Sequence, residues 1–345
     1  MKKIARARKG QFTSRELISG RGKVDVAETL QDVLKRLGGK IAESTNQLAG
    51  QGTRPRLLPD RHPVRDFFIA DILDWALKDD RHSMEHPIFS LSKTPDRKVR
   101  HYEHNGIHVT VAPSAYGRAT IWDKDILLYC VSVLTEGLNQ GREVSRTVRL
   151  TAYDFLVTTN RHTGGRDYDL LAAALNRLKG TVINTDIETN GKRQRAGFGL
   201  IDNWQIIERL HTSGRMSAVE ITLNEWLFNA IVAREILTLN RDYFRLDGGL
   251  ERRLYELARK HCGRQAKWAV SVELLYKKSG SQATLKKFRE LLKRVTGNDA
   301  LPDYRIRYDQ ETDRTLFYTK DGEALAQHLA AIGTSGTESG GNSGL

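Results

Sequence analysis

The sequence predicts an α+β fold of two tandem units, each a helix-turn-helix completed by a β-hairpin. Near the C-terminus, a short helix, a Ser-Gly turn, an amphipathic helix and two alternating runs follow one another between Trp268 and Tyr318. The same order of elements recurs between Thr147 and Trp204. Helices followed by such a hairpin form a winged helix, in which the hairpin is the wing. We therefore expect two tandem winged-helix domains.

Composition limits this prediction further. The chain has 345 residues and a formal net charge of +13, which favours two domains and a polyanionic partner. Cys130 and Cys262 show no paired spacing, so we expect neither a disulfide framework nor a cysteine zinc site. No apolar run approaches the roughly 18 residues of a membrane span, and no signal core is recognisable at the N-terminus. We expect a soluble, cytoplasmic protein.

Charge and composition also divide the chain. Residues 1–64 are predicted to be a basic, largely disordered leader with one amphipathic helix at 24–37. Residues 326–345 are rich in Gly and Ser, which is typical of a flexible tail. Between them we expect an N-terminal winged-helix domain at 65–240 and a C-terminal one at 241–325.

Periodicity and turn signals place the elements of the N-terminal domain. Capping boxes at Thr120 with Asp123, and at Thr151 with Asp154, each predict the start of a helix. Asn105-Gly106 predicts a tight hairpin between two strands. The predicted helices lie at 65–78, 122–134, 152–158, 168–179 and 225–233, and the predicted strands at 88–92, 99–104, 107–112, 147–150 and 218–222.

The first helix-turn-helix uses Gly164-Gly165 as its turn. The hairpin that turns at Asn190-Gly191 is predicted to be the first wing. Its tip carries Lys192, Arg193 and Arg195. The second helix, at 168–179, is predicted to bury Leu170, Leu171, Ala174, Leu175 and Leu178. Its outer face carries little positive charge.

In the C-terminal domain, predicted helices at 250–261, 271–278 and 282–295 precede strands at 304–308 and 314–318. Ser279-Gly280 is the predicted turn. The helix at 282–295 shows a buried stripe of Leu285, Phe288, Leu291, Leu292 and Val295. In the wing, Tyr304, Ile306 and Tyr308 alternate with Arg305 and Arg307, which predicts an apolar and a basic face.

The positive charge indicates the partner. Residues 264–294 hold nine Lys or Arg against two Glu, and a basic helix-turn-helix predicts binding to double-stranded DNA. The C-terminal domain is therefore expected to be the main DNA reader, and the N-terminal domain to supply auxiliary contacts and dimerisation. The alternative to DNA binding is that the lysine-rich helix is merely solvated and lies beside an ordinary hairpin.

The base-reading candidates are Gln282, Lys286 and Glu290, whose amide, ammonium and carboxylate groups match adenine, guanine and cytosine edges. Glu290 is equally well explained by an intrahelical pair with Lys286 or Arg294. Other DNA contacts are predicted for Lys277, Lys278, Ser281, Thr284, Lys287, Lys293, Arg294, Arg305, Arg307 and Arg314, and in the N-terminal domain for Arg166, Arg177, Lys192, Arg193 and Arg195.

Five long stretches carry a family resemblance: residues 66–93, 115–135, 150–165, 180–187 and 274–304, the last ending in Leu301-Pro302-Asp303-Tyr304. They resemble the replication initiator protein A family of plasmid replication initiators. Together they extend over roughly residues 65 to 320. The resemblance implies a protein that binds repeated origin sites, helps to melt adjacent AT-rich DNA, recruits a host initiator and helicase, and represses its own promoter. It also implies a homodimer that acts at a plasmid or the nucleoid.

Patterns for catalysis are weak. The chain has no His-apolar-His triplet for a nicking site and no phosphate-binding loop for ATP hydrolysis, so we expect no cofactor and no enzymatic activity. His101, His104 and His108 could approach one another on a hairpin, but polar strand positions facing water explain them better. The carboxylate pairs Asp123 with Asp125 and Asp167 with Asp169 stand at helix starts, which favours capping over Mg²⁺ binding.

Two other functions use the same features. A transcriptional repressor has the same fold, and only the family resemblance favours an initiator over it. A DNA-nicking enzyme of unfamiliar type is less well supported, because the metal and nucleophile patterns are missing.

Overall fold

The computed structural model describes residues 57–63, 69–71, 87–104, 107–189, 192–208, 216–234, 236–263 and 265–326. The predicted helix at 24–37, most of the leader and most of the tail lie outside the described residues. All described residues belong to one compact unit that begins at residue 56. Within the described part of the chain, none of the helices combines the length and apolar character that a membrane crossing requires.

The elements fall into two successive groups. The first group comprises β1 (Ile69–Asp71), β2 (Arg100–His104), β3 (Ile107–Ala112), α1 (Lys124–Asn139), β4 (Thr147–Leu150), α2 (Ala152–Thr158), α3 (Gly165–Gly180), β5 (Val182–Thr189), β6 (Lys192–Gly199), β7 (Ile201–Glu208), β8 (Met216–Leu223) and α4 (Glu225–Val232). The second comprises β9 (Leu237–Leu239), a 3-10 helix (Arg241–Arg245), α5 (Gly249–His261), β10 (Lys267–Ser271), α6 (Val272–Ser279), α7 (Leu285–Asn298), β11 (Tyr304–Asp309) and β12 (Arg314–Thr319).

Both groups contain the same arrangement of a helix, a strand, two helices and a hairpin. In the N-terminal repeat these are α1, β4, α2, α3 and the β7–β8 hairpin; in the C-terminal repeat they are α5, β10, α6, α7 and the β11–β12 hairpin. The three-stranded sheets have equivalent orders, β4-β8-β7 and β10-β12-β11. In each, the strand before the helix pair is antiparallel to the second strand of the hairpin.

The sheet topology corrects the predicted first wing. The hairpin around residues 190–191 is β5–β6, but β5 pairs with β3, and the strand order β2-β3-β5-β6 forms a separate sheet. This hairpin is therefore an insertion between α3 and β7, and the hairpin equivalent to a wing is β7–β8. An Asn-Gly signal predicts a turn but not the strand against which the hairpin pairs. Strand β7 was not predicted.

Two other predictions near the N-terminus are wrong. Residues 69–71, expected in a helix, form β1, which is antiparallel to β9. Residues 88–92, expected in a strand, contribute one bridge between Ser90 and Thr120. At residues 69–71, pairing with β9 overrides the local helical pattern. At residues 88–92 the pairing stops at this one bridge, so the apolar run does not form a strand.

Local capping chemistry explains why most helices begin where they do. Thr120 and Asp123 exchange hydrogen bonds, the Thr120 amide to Asp123 Oδ2 at 2.8 Å and the Asp123 amide to Thr120 Oγ1 at 3.2 Å. This confirms the capping interaction, although α1 itself begins at Lys124. Thr151 and Asn224 cap α2 and α4 by accepting amide hydrogen bonds at 3.0 Å and 2.6 Å. The predicted hairpin at 99–112 is also confirmed, as β2–β3.

Each repeat has its own apolar core. Helix α3 buries Leu171, Ala174, Leu175 and Leu178, as predicted, whereas Leu170 is 47% exposed. Leu170 was predicted on the buried face and lies at its margin. Helix α7 buries Phe288, Leu292 and Val295. Leu285 and Leu291 are only half-buried.

Helix α1 joins the two repeats. Its Leu128 is fully buried and belongs to the core of the C-terminal repeat. At its start, Lys124 Nζ lies 2.7 Å from Glu256 Oε1, and Asp125 Oδ1 lies 2.6 Å from Arg252 Nη1, both on α5. All four side chains are at most 4% exposed. We call this cluster the buried joint.

Further donors complete the buried joint. Tyr243 Oη donates to Glu256 Oε1 at 2.7 Å, and Arg161 Nη2 donates to Asp125 Oδ2 at 3.0 Å. Burial raises the pKa of Glu256, but the charges of Lys124 and Arg253 outweigh it and hold the pKa below its usual value. Burial lowers the pKa of Arg252, but the charge of Asp125 opposes this effect, and the pKa of Arg252 lies above its usual value. The joint is thus a buried cluster of polar side chains that satisfy one another through ion pairs and hydrogen bonds.

The segment at residues 57–62 crosses both repeats. The Leu58 amide donates to the Arg245 carbonyl at 2.9 Å, in the second group of elements. The Arg61 amide donates to Asn160 Oδ1 at 2.8 Å, and Asn160 Nδ2 donates to the Pro59 carbonyl at 3.0 Å, next to α2. Asn160 has a φ of 57°, a left-handed conformation that Asn tolerates better than most residues. We call this segment the strap.

We predict that the free energy of unfolding depends strongly on both partners of the Lys124–Glu256 pair in the buried joint. Lys124→Met should lower the free energy of unfolding by about 3 kcal/mol or more, because Glu256 would lose a buried cation. Lys124→Met/Glu256→Gln should recover much of that loss, since Gln can still accept from Tyr243. Urea unfolding of the full chain measures both values.

The exposed pair of Lys93 with Asp247, whose side chains are 65% and 58% exposed, provides the control. Lys93→Met should change stability by less than about 1 kcal/mol, because solvent screens such pairs. A double variant no more stable than Lys124→Met would contradict the role assigned to the buried joint.

A second prediction concerns His261, at the end of α5. Its ring stacks on Trp268 at 4.5 Å, and its Nε2 has no hydrogen-bond partner in the part of the chain that the structure describes. Burial, with the charges of Lys260 and Arg253, lowers the pKa of His261 to about 4. The unfolded chain therefore binds this proton more readily, and stability falls as pH drops from about 6.5 to about 4.

Replacing His261 by Phe keeps the stack and removes this titration. Between pH 7 and pH 5 the wild-type protein should lose about 2 kcal/mol more stability than His261→Phe. Urea unfolding at the two pH values measures the difference, and His162→Phe, at an exposed position, should behave like the wild type. Equal pH dependence in His261→Phe and the wild type would disprove the assignment.

Candidate nucleic-acid interface

The turn between α6 and α7 is built by local hydrogen bonds. Ser271 caps α6 by accepting from the Leu274 amide at 3.3 Å. Gly280, which ends α6, has a φ of 69°. A Cβ at this position would also collide with the Pro87 ring. Gly280 is therefore required both for the left-handed turn and for the approach of residue 87.

Helix α7 begins later than the sequence predicts. Thr284 Oγ1 accepts from the Lys287 amide at 3.3 Å, so Thr284 is the cap and Leu285 the first helical residue. Gln282, predicted inside the helix, precedes it, and its Nε2 donates to the Gly280 carbonyl at 2.9 Å. Gln282 is exposed and Ser281 half-buried beside it.

The outward side of α7 carries the basic charge. Lys286, Glu290, Lys293 and Arg294 are exposed and recur at three- and four-residue spacing, opposite the buried stripe. We call these four residues the α7 surface. Lys293 Nζ lies 6.0 Å from the centre of the Tyr308 ring. Among the described residues, no carboxylate forms an ion pair with Lys286, Lys293 or Arg294.

Glu290 has a partner other than the two expected. Its Oε2 accepts from Lys287 Nζ at 2.7 Å, three residues earlier, rather than from Lys286 or Arg294. This hydrogen bond and the Lys287 charge hold the pKa of Glu290 below its usual value. Lys287 is thus partly neutralised, and the free charges of the α7 surface are Lys286, Lys293 and Arg294.

Two predicted DNA contacts are instead structural. Lys278 is 4% exposed, and burial lowers its pKa to about 8. Its carbonyl accepts two hydrogen bonds from Arg253, at 3.2 Å and 2.9 Å, which fixes the end of α6. Arg177 binds Asp123 through two hydrogen bonds of 2.7 Å, and the bond to Asp123 raises its pKa. We remove both residues from the interface.

The remaining predicted contacts divide by position. Lys277 is exposed and pairs with Glu273 at 2.9 Å. Arg166 is exposed at the start of α3. Lys192, Arg193 and Arg195 lie in β6, and their side chains fall outside the described residues.

The wing arginines lie on a different surface from α7. Tyr304 and Ile306 point into the core that holds Phe288 of α7, and the residues that alternate with them point away. Arg305 and Arg307 are therefore on the opposite face of the sheet from α7, which does not support the prediction that both elements contact one duplex. Arg305 also pairs with Asp299 at 3.2 Å.

A link that holds the β11–β12 hairpin beside α7 was not predicted from the sequence. Arg289 donates to both carboxylate oxygens of Asp313, at 3.0 Å and 2.7 Å, and Tyr308 Oη donates to Asp313 at 2.9 Å. The wing loop also carries Asp309 and Glu311. The loop is acidic and would repel a phosphate backbone, whereas the outward side of α7 is basic.

The candidate catalytic groups have structural partners. Asp123 and Asp125 are bound by arginines, as described above. His101 Nδ1 is 3.0 Å from Thr110 Oγ1, and His108 Nδ1 is 3.8 Å from Glu103 Oε2. Within the described residues, no three His, Cys, Asp or Glu side chains are grouped so that they could hold a metal ion.

Comparison with known proteins finds similarity both in sequence and in fold. A putative replication protein of Wigglesworthia glossinidia brevipalpis is 41% identical over 257 residues, which is 74% of this chain and 93% of that protein. Among solved structures, domains 2 and 3 of RctB are similar with a TM-score of 0.52 and 12% identity, over 72% of this chain and 98% of that chain. At that identity the similarity concerns the fold alone. The Pi initiator protein in complex with iteron DNA gives a TM-score of 0.41 with 14% identity, over 59% and 92%.

The matched region contains most of the residues described above. The family model for replication initiator protein A matches residues 78–306, which include both helix pairs, the buried joint and the α7 surface. The extent of this match and the identity to the replication protein show that the chain belongs to the replication initiator protein A family.

Proposed function

We propose that this protein is an origin-binding initiator of plasmid replication whose C-terminal repeat reads double-stranded DNA through α7. Each repeat is then a winged helix, with α3 and α7 as the second helices of the two helix-turn-helix pairs. The observation that carries the proposal is the α7 surface, where Lys286, Lys293 and Arg294 are exposed and lack carboxylate partners within the described part of the chain. An exposed basic helix of this width fits the major groove.

The contacts follow from the position of each side chain on α7. Lys286 stands in the first turn, where recognition helices approach base edges, and an ammonium donates well to guanine. Lys293 and Arg294, two turns later, bind phosphates. Lys277, on the preceding helix, and Gln282, in the turn, lie beside the start of α7 and contact the same strand. Glu290 orients Lys287 and accepts from a base only if that pair opens.

The N-terminal repeat has a different role. The exposed residues of α3 include Arg166, Asp169 and Leu170, a nearly neutral set with one large apolar side chain. Such a face suits a protein contact better than a phosphate backbone. We assign this face of α3 to the contact between two copies of the chain. In this proposal the homodimer represses the promoter of its own gene.

The initiator acts in this proposal by binding and not by catalysis. Bending or untwisting a site costs on the order of 1 to 6 kcal/mol, which extra contacts to repeated origin sites can offset. A host initiator and helicase then open and unwind the adjacent AT-rich DNA in the cytoplasm. Support comes from the family and from the partners found for Asp123 and Asp125, which leave their oxygens committed to arginines.

Lys286→Ala tests the reading surface. The full-length variant should bind a duplex that the wild type selects from a random-sequence pool roughly 5- to 150-fold more weakly, the equivalent of about 1 to 3 kcal/mol for a lost base contact. Its affinity for unselected duplex should fall much less. Fluorescence anisotropy at fixed salt measures both affinities.

Lys98→Ala, at an exposed lysine before β2, is the matched control and should leave both affinities near the wild-type values. If Lys286→Ala weakens selected and unselected duplex equally, Lys286 contacts phosphate and not a base. If neither affinity changes, α7 is not the reading helix.

Leu170→Arg tests the dimer. The wild-type chain should sediment as a dimer at micromolar concentration, and Leu170→Arg as a monomer, because a charge in an apolar contact is left desolvated. Val232→Arg is the matched control, since Val232 is a similarly exposed aliphatic residue on α4, at 49% against 47%. A dimer in Leu170→Arg, or a monomeric wild type, would rule out this interface.

A further inference from the structure

The C-terminal sheet has a second surface, which the reading of duplex DNA does not use. It is the face of β10, β11 and β12 that points away from the core, and we call it the outer sheet face. The register places its side chains in three cross-strand rows. The rows are Arg305 with Tyr318 and Lys267, Arg307 with Leu316 and Ala269, and Asp309 with Arg314 and Ser271.

The first row places an aromatic ring between two cations. Arg305 pairs with Tyr318 on β12, and Tyr318 pairs with Lys267 on β10. Neighbouring strands are about 4.8 Å apart, so the two cationic residues start about 10 Å from each other with the tyrosine between them. Directly opposed side chains on neighbouring strands are close enough to touch, so one extended ligand can contact all three.

The apolar members of this face lie outside the core. Phe317, which alternates with Leu316 and Tyr318, is fully buried, whereas Leu316 and Tyr318 are half-buried. Neither belongs to the core cluster or to the apolar residues packed against it, as far as the described residues extend. A tyrosine and a leucine are thus presented on the outside of the sheet.

The cations of this face are largely uncompensated. In the part of the chain that the structure describes, Lys267, Arg307 and Arg314 form no ion pair, and Arg305 is paired only with Asp299. The single carboxylate of the rows, Asp309, is engaged at the loop by Thr312 Oγ1 at 2.7 Å and by the Glu311 amide at 3.0 Å. The face therefore attracts a polyanion.

We propose that the outer sheet face binds single-stranded DNA. A single strand exposes both its phosphates and its base faces, so it can pair with the four cations and stack a base on Tyr318 at the same time. A duplex keeps its base faces stacked inside and would leave Tyr318 and Leu316 without a ligand. This site goes beyond the proposed reading of duplex by α7, because α7 packs on the opposite side of the sheet. One protein can then hold a duplex and an opened strand on different surfaces.

The experiment uses the full chain with a fluorescent dT20 oligonucleotide and, separately, a 20-base-pair duplex of unselected sequence. Tyr318→Ala should weaken dT20 binding at least about fivefold, which corresponds to about 1 kcal/mol for one lost stacked base. Its duplex affinity should stay unchanged. Tyr318→Phe should retain dT20 binding, since stacking needs the ring and not the hydroxyl. Tyr116→Ala, which removes another exposed tyrosine (59%), should also bind dT20 like the wild type.

A charge variant provides a second readout. Arg307→Ala should reduce the slope of log affinity against log salt for dT20 by about 0.7, the value for one phosphate contact to a single strand. Lys286→Ala should leave that slope and the dT20 affinity as they are. If Lys286→Ala fails to affect duplex while Tyr318→Ala weakens dT20, the proposed duplex reading by α7 falls and the outer sheet face stands.

Three outcomes would overturn this inference. One is unchanged dT20 affinity in Tyr318→Ala. Another is an equal loss of dT20 and duplex affinity, which would make the surface a general phosphate site. The third is tighter binding of an rU20 oligonucleotide than of dT20, which would assign the surface to RNA.

Discussion

Lys124 and Asp125 open α1 in the N-terminal repeat, and their ionic partners Glu256 and Arg252 belong to α5 in the C-terminal repeat. Removing such charges from water costs several kcal/mol per ion, and only close partners offset this cost. Glu256 also pairs with Arg253, and Asp125 with Arg161, each within its own repeat. Lys124 and Arg252, however, are each paired with a carboxylate of the other repeat. Each repeat therefore depends on the other to satisfy part of its buried charge.

The joint also reaches the turn between α6 and α7. Arg253 pairs with Glu256 at 3.3 Å and donates to the Lys278 carbonyl, directly before Gly280. On the other side, Asp125 binds Arg161, which lies in the turn between α2 and α3. The residue before it, Asn160, is hydrogen-bonded to the strap. The turns of both helix pairs are thus attached to one buried cluster. Lys278 thus takes part in this network through its carbonyl, and its side chain is buried.

The sequence predicts what local chemistry determines. The cap at Thr151, the turn at Ser279-Gly280 and the buried stripe of α7 depend on neighbours within a few residues, and they were predicted correctly or nearly so. The failures involve distant partners. Arg177 meets Asp123 across 54 residues, and β5 pairs with β3, so neither could be found from spacing alone.

The same distinction holds at the candidate site. Helical periodicity correctly placed Lys286, Lys293 and Arg294 on the outside of α7. It could not show that Thr284 starts the helix two residues after Gln282, or that Lys287 reaches Glu290. The alternation of Arg305 and Arg307 was visible in the sequence. That they face away from α7 follows only from the packing of the sheet.

The β5–β6 insertion has a consequence for how this fold can vary. The chain leaves the N-terminal repeat after α3 and returns before β7, and its first and last strand residues, Val182 and Gly199, are paired with each other. The two ends of the inserted hairpin are therefore one strand spacing apart. The number of residues between them then has almost no effect on how the repeat closes. Modules of different size can occupy this point while β4, β8 and β7 keep their registers, which makes it the natural place for grafting a foreign hairpin or a reporter.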